Sequence, residues 1–453
     1  MGTRPGSADT DPRDDEGLLQ ALFSVRRDEQ LPLAFAFAYF FCVLAAYYVL
    51  RPIRDEMGVT GGVNHLPWLF LGTLLTTLIV SPLFSKLVAR LPRRRFVTWA
   101  YRGLILCLVV FAAAMVYAPA SVQTWIGRMF FVWTSVFAVF AVSLFWAVMA
   151  DVFQTTQARR LYGVIGAGGT LGGIAGGLLT GWLVQLFGHV PLLFVSALLL
   201  EAGLRAMYAL SRHVAARGET QARIEQEIIG GNAWAGVSGV LRSPYLIAIA
   251  LFMLLFTVGS AFLYFLQAEI VAREIADRAA RTAYFARVDV WVNGLTLIVQ
   301  LVLTGRLIDK VGVGAVLVLL PLLSLVGFLA LAAAPLLSLV VLLQVLRRTG
   351  DFALSRPARE VLYVPLSREE KYKAKNFVDT FVFRFGDQLG AWTYTALAAL
   401  GLSLAGIAAA AVPLSAAWLA VALWLGRRHA RLAPQRPGGT IAATLLVNAG
   451  ARP

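Results

Sequence analysis

Apolar residues along the chain gather into runs of about twenty, each long enough as a helix to cross the roughly 30 Å hydrocarbon core of a bilayer. The first six cover about residues 31–54, 66–87, 97–118, 128–150, 162–187 and 190–211. A polar stretch at about 212–243 follows, carrying Arg212, Arg217, Glu219, Arg223, Glu225 and Glu227. Six more runs occupy about 245–268, 285–305, 313–333, 336–356, 376–400 and 406–425. The pattern predicts an all-α polytopic membrane protein of about twelve transmembrane helices in two six-helix halves, 31–211 and 244–426, joined by the linker 212–243. Tails of 1–30 and 427–453 flank them, and Leu18, Leu19, Leu22 and Phe23 ahead of Arg26 and Arg27 suit a short interfacial helix in the first tail.

Lys and Arg set the expected orientation. Connections 2–3, 4–5, 8–9 and 10–11 are basic, with Arg93, Arg94 and Arg95 in the first and Arg368, Lys371, Lys373 and Lys375 in the last. Connections 3–4, 5–6, 9–10 and 11–12 are nearly free of basic residues, Arg128 at the edge of 3–4 being the exception. Connections 1–2 (Arg51, Arg54) and 7–8 (Arg273, Arg278, Arg281) blur the rule without reversing it. Both termini and the linker are therefore expected in the cytoplasm of a bacterium, with the chain in its inner membrane. Composition agrees: of 453 residues 59% are hydrophobic and 14% charged, with a mean hydropathy of +0.73. A soluble fold could not cover that much apolar surface. The net charge of +15 lies mostly between the runs, which argues against a nucleic-acid partner. The expected partners are the lipid bilayer and a small, anionic solute, and the chain is expected to act as a monomer.

Charged residues inside the runs point to chemistry, because each costs about 2.5–3.5 kcal/mol at mid-bilayer and so faces a cavity or a partner. In the eleventh run, Lys375, Asp379, Arg384 and Asp387 share one broad side of a helical wheel, and Val378, Phe381, Val382, Phe385 and Leu389 the other. Tyr47, Arg51, Arg54 and Asp55 share a face of the first run if its helix continues through Pro52; if it stops near Leu50 they are interfacial anchors. Asp289 with Asn293 one turn deeper forms a candidate site in the eighth run, a helix cap being the alternative. Arg347 with Asp351, and Glu201 with Arg205, stand at i,i+4 and read as structural pairs, leaving Arg348 in need of another partner.

Other chemistries find no support. Gly168, Gly172 and Gly176 run beside Gly169, Gly173, Gly177 and Gly181, two small-residue ladders suited to close helix approach. A phosphate-cradling loop would need a preceding strand and a following Lys. Cys42 and Cys107 lie inside apolar runs, and the four histidines are scattered near span ends. Neither a metal site, nor a cofactor, nor an enzymatic constellation is expected.

The octapeptide Gly305–Gly312 (GRLIDKVG) ends the eighth run, and Ser85–Arg95 (SKLVARLPRRR) ends the second, the equivalent place in the first half. The former resembles the G-x-L-x-D-K/R-x-G loop of major facilitators. Gly305, Asp309, Lys310 and Gly312 are accordingly expected to form a gating loop between sliding spans, an ordinary basic loop being the alternative. Three blocks, Tyr47–Asp55 (YYVLRPIRD), Phe145–Gly177 and Glu360–Gly390, are similar to the ATP/ADP translocase family of nucleotide transporters, which has broader relatives in free-living bacteria. The resemblance implies a major-facilitator-like fold and a cationic central cavity in which Arg54, Lys375, Asp379 and Arg384 take the family's positions. Phe153 stands where the family carries a tryptophan, and Asp387 where many members have a lysine. A cation-to-anion change there shifts the charge beside a polyanion by two units, so ATP/ADP exchange itself is not carried over.

Taken with the intramembrane charges, these features point to a secondary transporter for a small organic anion, a nucleotide or phosphorylated metabolite, working by alternating access. The substrate-binding set expected is Tyr47, Arg51, Arg54, Asp289, Asn293, Lys375, Asp379, Arg384 and Asp387. A proton-coupled transporter or efflux pump for another solute, and a non-transporting scaffold or sensor, are the alternatives.

Overall fold

The computed structural model describes residues 26, 29–90, 93–153, 155–216, 240, 243–366, 374–375 and 377–432. The expected interfacial helix, the Lys371 and Lys373 run and nearly all of the linker lie outside them. Among the described residues twelve helical rods follow one another. The first six are α1 (Gln30–Thr60), α2 (Leu66–Arg90), α3 (Arg93–Tyr117), α4 (Ala120–Val152), α5 (Thr155–Phe187) and α6 (Val190–Ala216). The second six begin with α7 (Pro244–Glu274), α8 (Arg278–Val302) and α9 (Thr304–Ala333). Next, α10 runs from Leu337 to Gly350 and on through a π-helical turn, Asp351–Ser355, into Arg356–Leu362. A second π turn, Val378–Val382, opens α11, which continues as Phe383–Ala399, and α12 is Leu404–Leu432.

Helices are the expected solution in lipid, where each backbone group must be satisfied within its own segment. Ten of the twelve are long and apolar enough to cross a membrane among the described residues. The two others are α10 and α11, the rods that carry arginines at mid-length and that π turns interrupt. The chain is thus a multi-pass membrane protein. Caps mark where polar connections begin: Ser243 accepts from the Leu246 N–H ahead of α7, and Asp277 from the Ala280 N–H ahead of α8.

Each set of six helices wraps an apolar core. Tyr39, Phe130, Phe137 and Phe145 lie in the first, and Phe252, Leu317 and Trp418 in the second. Where the two sets meet, α5 packs against α1 on one side and α8 on the other. The glycine ladders make this possible. Gly168 and Gly172 sit on the Phe37 and Phe41 carbonyls, while Gly173 and Gly177 face Asn293 and Val290 of α8. One helix thereby touches both neighbours backbone to backbone. On the far side of the molecule α2 packs against α11.

The expected gating loop is only partly described. Gly305 and Asp309 lie outside the residues whose side chains are described, and Lys310 is exposed. Gly312 has φ +81°, a left-handed conformation that breaks the helix inside α9, as a glycine turn would require.

Candidate functional site

Helix α1 continues through Pro52 to Thr60, so Tyr47, Arg51 and Arg54 project between the halves rather than ending at the interface. They line a cavity of about 460 Å³ bounded by α1, α2 and α4 on one side and by α7, α10 and α11 on the other. Six arginines reach it: Arg51, Arg54, Arg347, Arg348, Arg356 and Arg384. Its carboxylates are fewer, with Asp351 and Asp387 in the lining and Asp55 and Asp289 just behind it.

A cross-half relay occupies mid-depth. Asp289 of α8, almost fully buried, pairs with Arg51 of α1 at 3.3 Å and with Arg348 of α10 at 2.7 Å. One carboxylate between two guanidiniums leaves a positive excess. Three buried atoms of this relay, Arg51 Nε, Arg348 Nη2 and Asp289 Oδ2, have no hydrogen-bond partner among the described residues. Asp55 is better satisfied: Arg54 donates to it at 2.6 Å, and the Tyr264 hydroxyl of α7 donates across the interface at 3.1 Å. Asp351 accepts from Arg356 at 2.9 Å, with Arg359 at 3.5 Å. Arg384 and Asp387 stand 3.9 Å apart, too far for a hydrogen bond.

Arg347 differs from the other five. It is 4% exposed and donates to Ser324, Ser260 and the Phe256 carbonyl at 3.0, 2.7 and 2.8 Å. The rings of Phe256 and Trp418 flank its guanidinium. Neutral acceptors and π-faces replace the Asp351 partner expected from i,i+4 spacing, because Asp351 pairs with Arg356 and Arg359 instead.

One end of the cavity is shut. Beneath the α1–α2 connection the fully buried Glu56 accepts from Arg278 Nε and Nη2 at 2.9 and 3.2 Å, and also from the Thr60 hydroxyl. Arg281 donates to Thr60 at 3.2 Å, and His189 meets Thr282 at 2.8 Å. Burial holds the His189 imidazole below its ordinary pKa, with Glu56 pulling the other way. Gln388 of α11 donates to the Pro67 carbonyl at 3.4 Å, and Trp68 meets Trp392 edge-on.

Of the nine residues expected from sequence, Tyr47, Arg51, Arg54, Arg384 and Asp387 line the cavity and Asp289 stands behind it. Asn293 is buried beside Asp289, donating to its carbonyl at 2.8 Å, and packs on Gly173. Lys375 and Asp379 are not brought in: Lys375 pairs with Glu360 at 2.7 Å and Asp379 is exposed. Both precede the part of α11 that lines the cavity, which begins at Phe383, and the π turn at Val378–Val382 breaks the phase that a wheel drawn at 3.6 residues per turn assumes. The same slip buries Val378 and Val382, which the wheel puts towards lipid, while Phe381, Phe385 and Leu389 do face outward. The residues missed are those of α10 (Arg347, Arg348, Asp351 and Arg356), though the cost of burying a cation was a sufficient signal. Among the described residues no group of His, Cys, Asp and Glu could hold a metal ion. Glu201 and Arg205 pair at 3.3 Å on the surface, as their spacing predicts.

The Major Facilitator Superfamily model matches residues 68–346. The ADP,ATP carrier protein 1 of Chlamydia trachomatis serovar D is 21% identical, over 78% of this chain and 79% of its own length. The ADP,ATP carrier protein 2 of Chlamydia pneumoniae is 22% identical, over 84% and 86%. Among solved structures, a bacterial homologue of the iron transporter ferroportin, in an inward-facing state, superposes with a TM-score of 0.62 at 14% identity, covering 90% of this chain and 99% of that one. Twelve helices, ten of them long and apolar enough to cross a membrane among the described residues, a polar cavity between them and the family match lead to one assignment: the chain is a membrane transporter that belongs to the Major Facilitator Superfamily.

Proposed function

We propose that the protein is a secondary active transporter for a small organic anion, a nucleotide or another phosphorylated metabolite, and that it works by alternating access. The observation that carries this reading is the central cavity: six arginines reach it against two aspartates in its lining and two just behind, at a depth where an uncompensated cation is costly. Guanidinium groups match phosphate and carboxylate oxygens in a bidentate fashion, and Arg51 and Arg348, both in the lining, each keep one N–H without a partner among the described residues. A cavity of about 460 Å³ falls within the range that holds small metabolites. Likeness to ADP,ATP carriers points to the same chemical class. The basic even-numbered connections support cytoplasmic termini, an inner-membrane location and a cavity closed on the periplasmic side. The halves 31–211 and 244–426 are the units that would rock about it.

Arg384→Gln in proteoliposomes tests the reading. Uptake of the cognate anion is expected to fall by about tenfold or more, the weight of one charge-assisted contact, at unchanged expression and melting temperature. Normal transport would remove Arg384 from the site.

Asp387 supports a second reading, proton coupling. Its carboxylate lines the cavity with its nearest cation at 3.9 Å, so solute and proton can compete there. A pH gradient without counter-substrate should then drive flux that Asp387→Asn loses. Strict exchange indifferent to pH would eliminate this reading.

A further inference from the structure

A second, larger hollow lies on the flank of the first six helices. Helix α3 leans on α6 and α4 and touches α2 little, which leaves a groove of about 1090 Å³ between α2, α3 and α4. Its walls are almost wholly apolar. Along α4 it extends from Trp125 to Leu144, a rise of about 28 Å that matches the roughly 30 Å of a bilayer core. Gly103 forms part of the floor, and a side chain there would meet no atom within 4 Å. Trp68 and Trp125 stand exposed at the closed end and Trp99 towards the other, the positions aromatic residues take at the two interfaces of a membrane.

Arg128 stands at the closed end of this groove. It is the basic residue at the edge of connection 3–4. Its Nη2 reaches only the Gly61 carbonyl, at 3.4 Å, and its guanidinium lies over the Trp125 ring. Its Nε is buried without a hydrogen-bond partner, and among the described residues no carboxylate pairs with it. A cation left without an anion at the rim of an apolar, bilayer-long groove is complementary to one kind of molecule, an amphiphile with a phosphate head and apolar tails. We propose that this groove holds a phospholipid, its phosphate on Arg128 and its acyl chains across Gly103. The site is separate from the central cavity and stands whether or not the transported solute is an anion.

The test is native mass spectrometry of the full chain in mild detergent, titrated with phosphatidylglycerol or with diacylglycerol bearing the same acyl chains. One phosphatidylglycerol per chain is expected to survive delipidation that strips the diacylglycerol. Arg128→Gln should lower its retention by about tenfold or more, the scale of a charge-assisted hydrogen bond. Gly103→Leu, whose side chain enters open space and leaves the packing intact, should displace both lipids. Equal retention of the two lipids by the wild type overturns the proposal, whatever the variants do. So does a wild-type dimer that Gly103→Leu converts to monomer with no lipid retained, since a second copy of the chain would then be the occupant.

Discussion

Replacing Arg51 with glutamine is expected to abolish transport while leaving a folded protein. Arg51 is the N-terminal half's contribution to the relay through Asp289 to Arg348, and it lines the cavity proposed to admit the solute. Truncating one member of a buried charge pair costs about 2–5 kcal/mol, which corresponds to roughly 30-fold or more in affinity. Asp289 keeps Arg348 at 2.7 Å in this variant, so no carboxylate is stranded and the fold should survive. Asp289→Asn should behave in the opposite sense. It frees two guanidiniums at once, tightens anion binding and slows release, and is expected to lower turnover with a lower apparent KM. A proteoliposome assay that follows initial rate against solute concentration separates the two. Equal and simple loss of rate in both variants would show that the relay only holds the halves together.

The second large effect is on stability. A methyl group at Gly172 would run into the backbone carbonyl of Phe41, so α1 and α5 must move apart or not pack. Overpacking of this kind costs about 1–3 kcal/mol when side chains can yield, and a backbone contact yields less. Gly172→Ala is expected to lower the melting temperature in detergent measurably, and Gly172→Leu to eliminate folded protein. Gly163 lies on the same helix with open space around it, so Gly163→Ala should melt with the wild type. If Gly172→Ala melts there too, the close approach of α1 and α5 is not what the ladder provides.

Much of the architecture could be read from the chain because lipid imposes one rule on every span. Twelve apolar runs became twelve rods, and the ladder from Gly168 to Gly181 became the α1–α5–α8 junction. The cavity was legible where the helix was regular. Tyr47, Arg51 and Arg54 keep their shared face through Pro52, and Arg384 and Asp387 keep theirs beyond the second π turn. It was illegible where the period changed. The π turns at Asp351–Ser355 and Val378–Val382 insert extra residues per turn, so a wheel drawn at 3.6 residues per turn no longer relates the residues on their two sides. No propensity or spacing rule announces a π turn. In this chain both lie in the spans that carry the densest charge, a place where such turns recur at functional sites.

The central claim is that the arginine-lined chamber binds a phosphorylated anion. Thermal-shift titration of purified protein with adenine nucleotides, sugar phosphates and their uncharged parents addresses it directly, because a ligand that binds the folded state raises its melting temperature. At least one phosphorylated compound should stabilise the wild type where its uncharged parent does not, and Arg51→Gln should remove that stabilisation. Stabilisation by uncharged solutes alone, or by phosphates equally well in Arg51→Gln, would contradict the account.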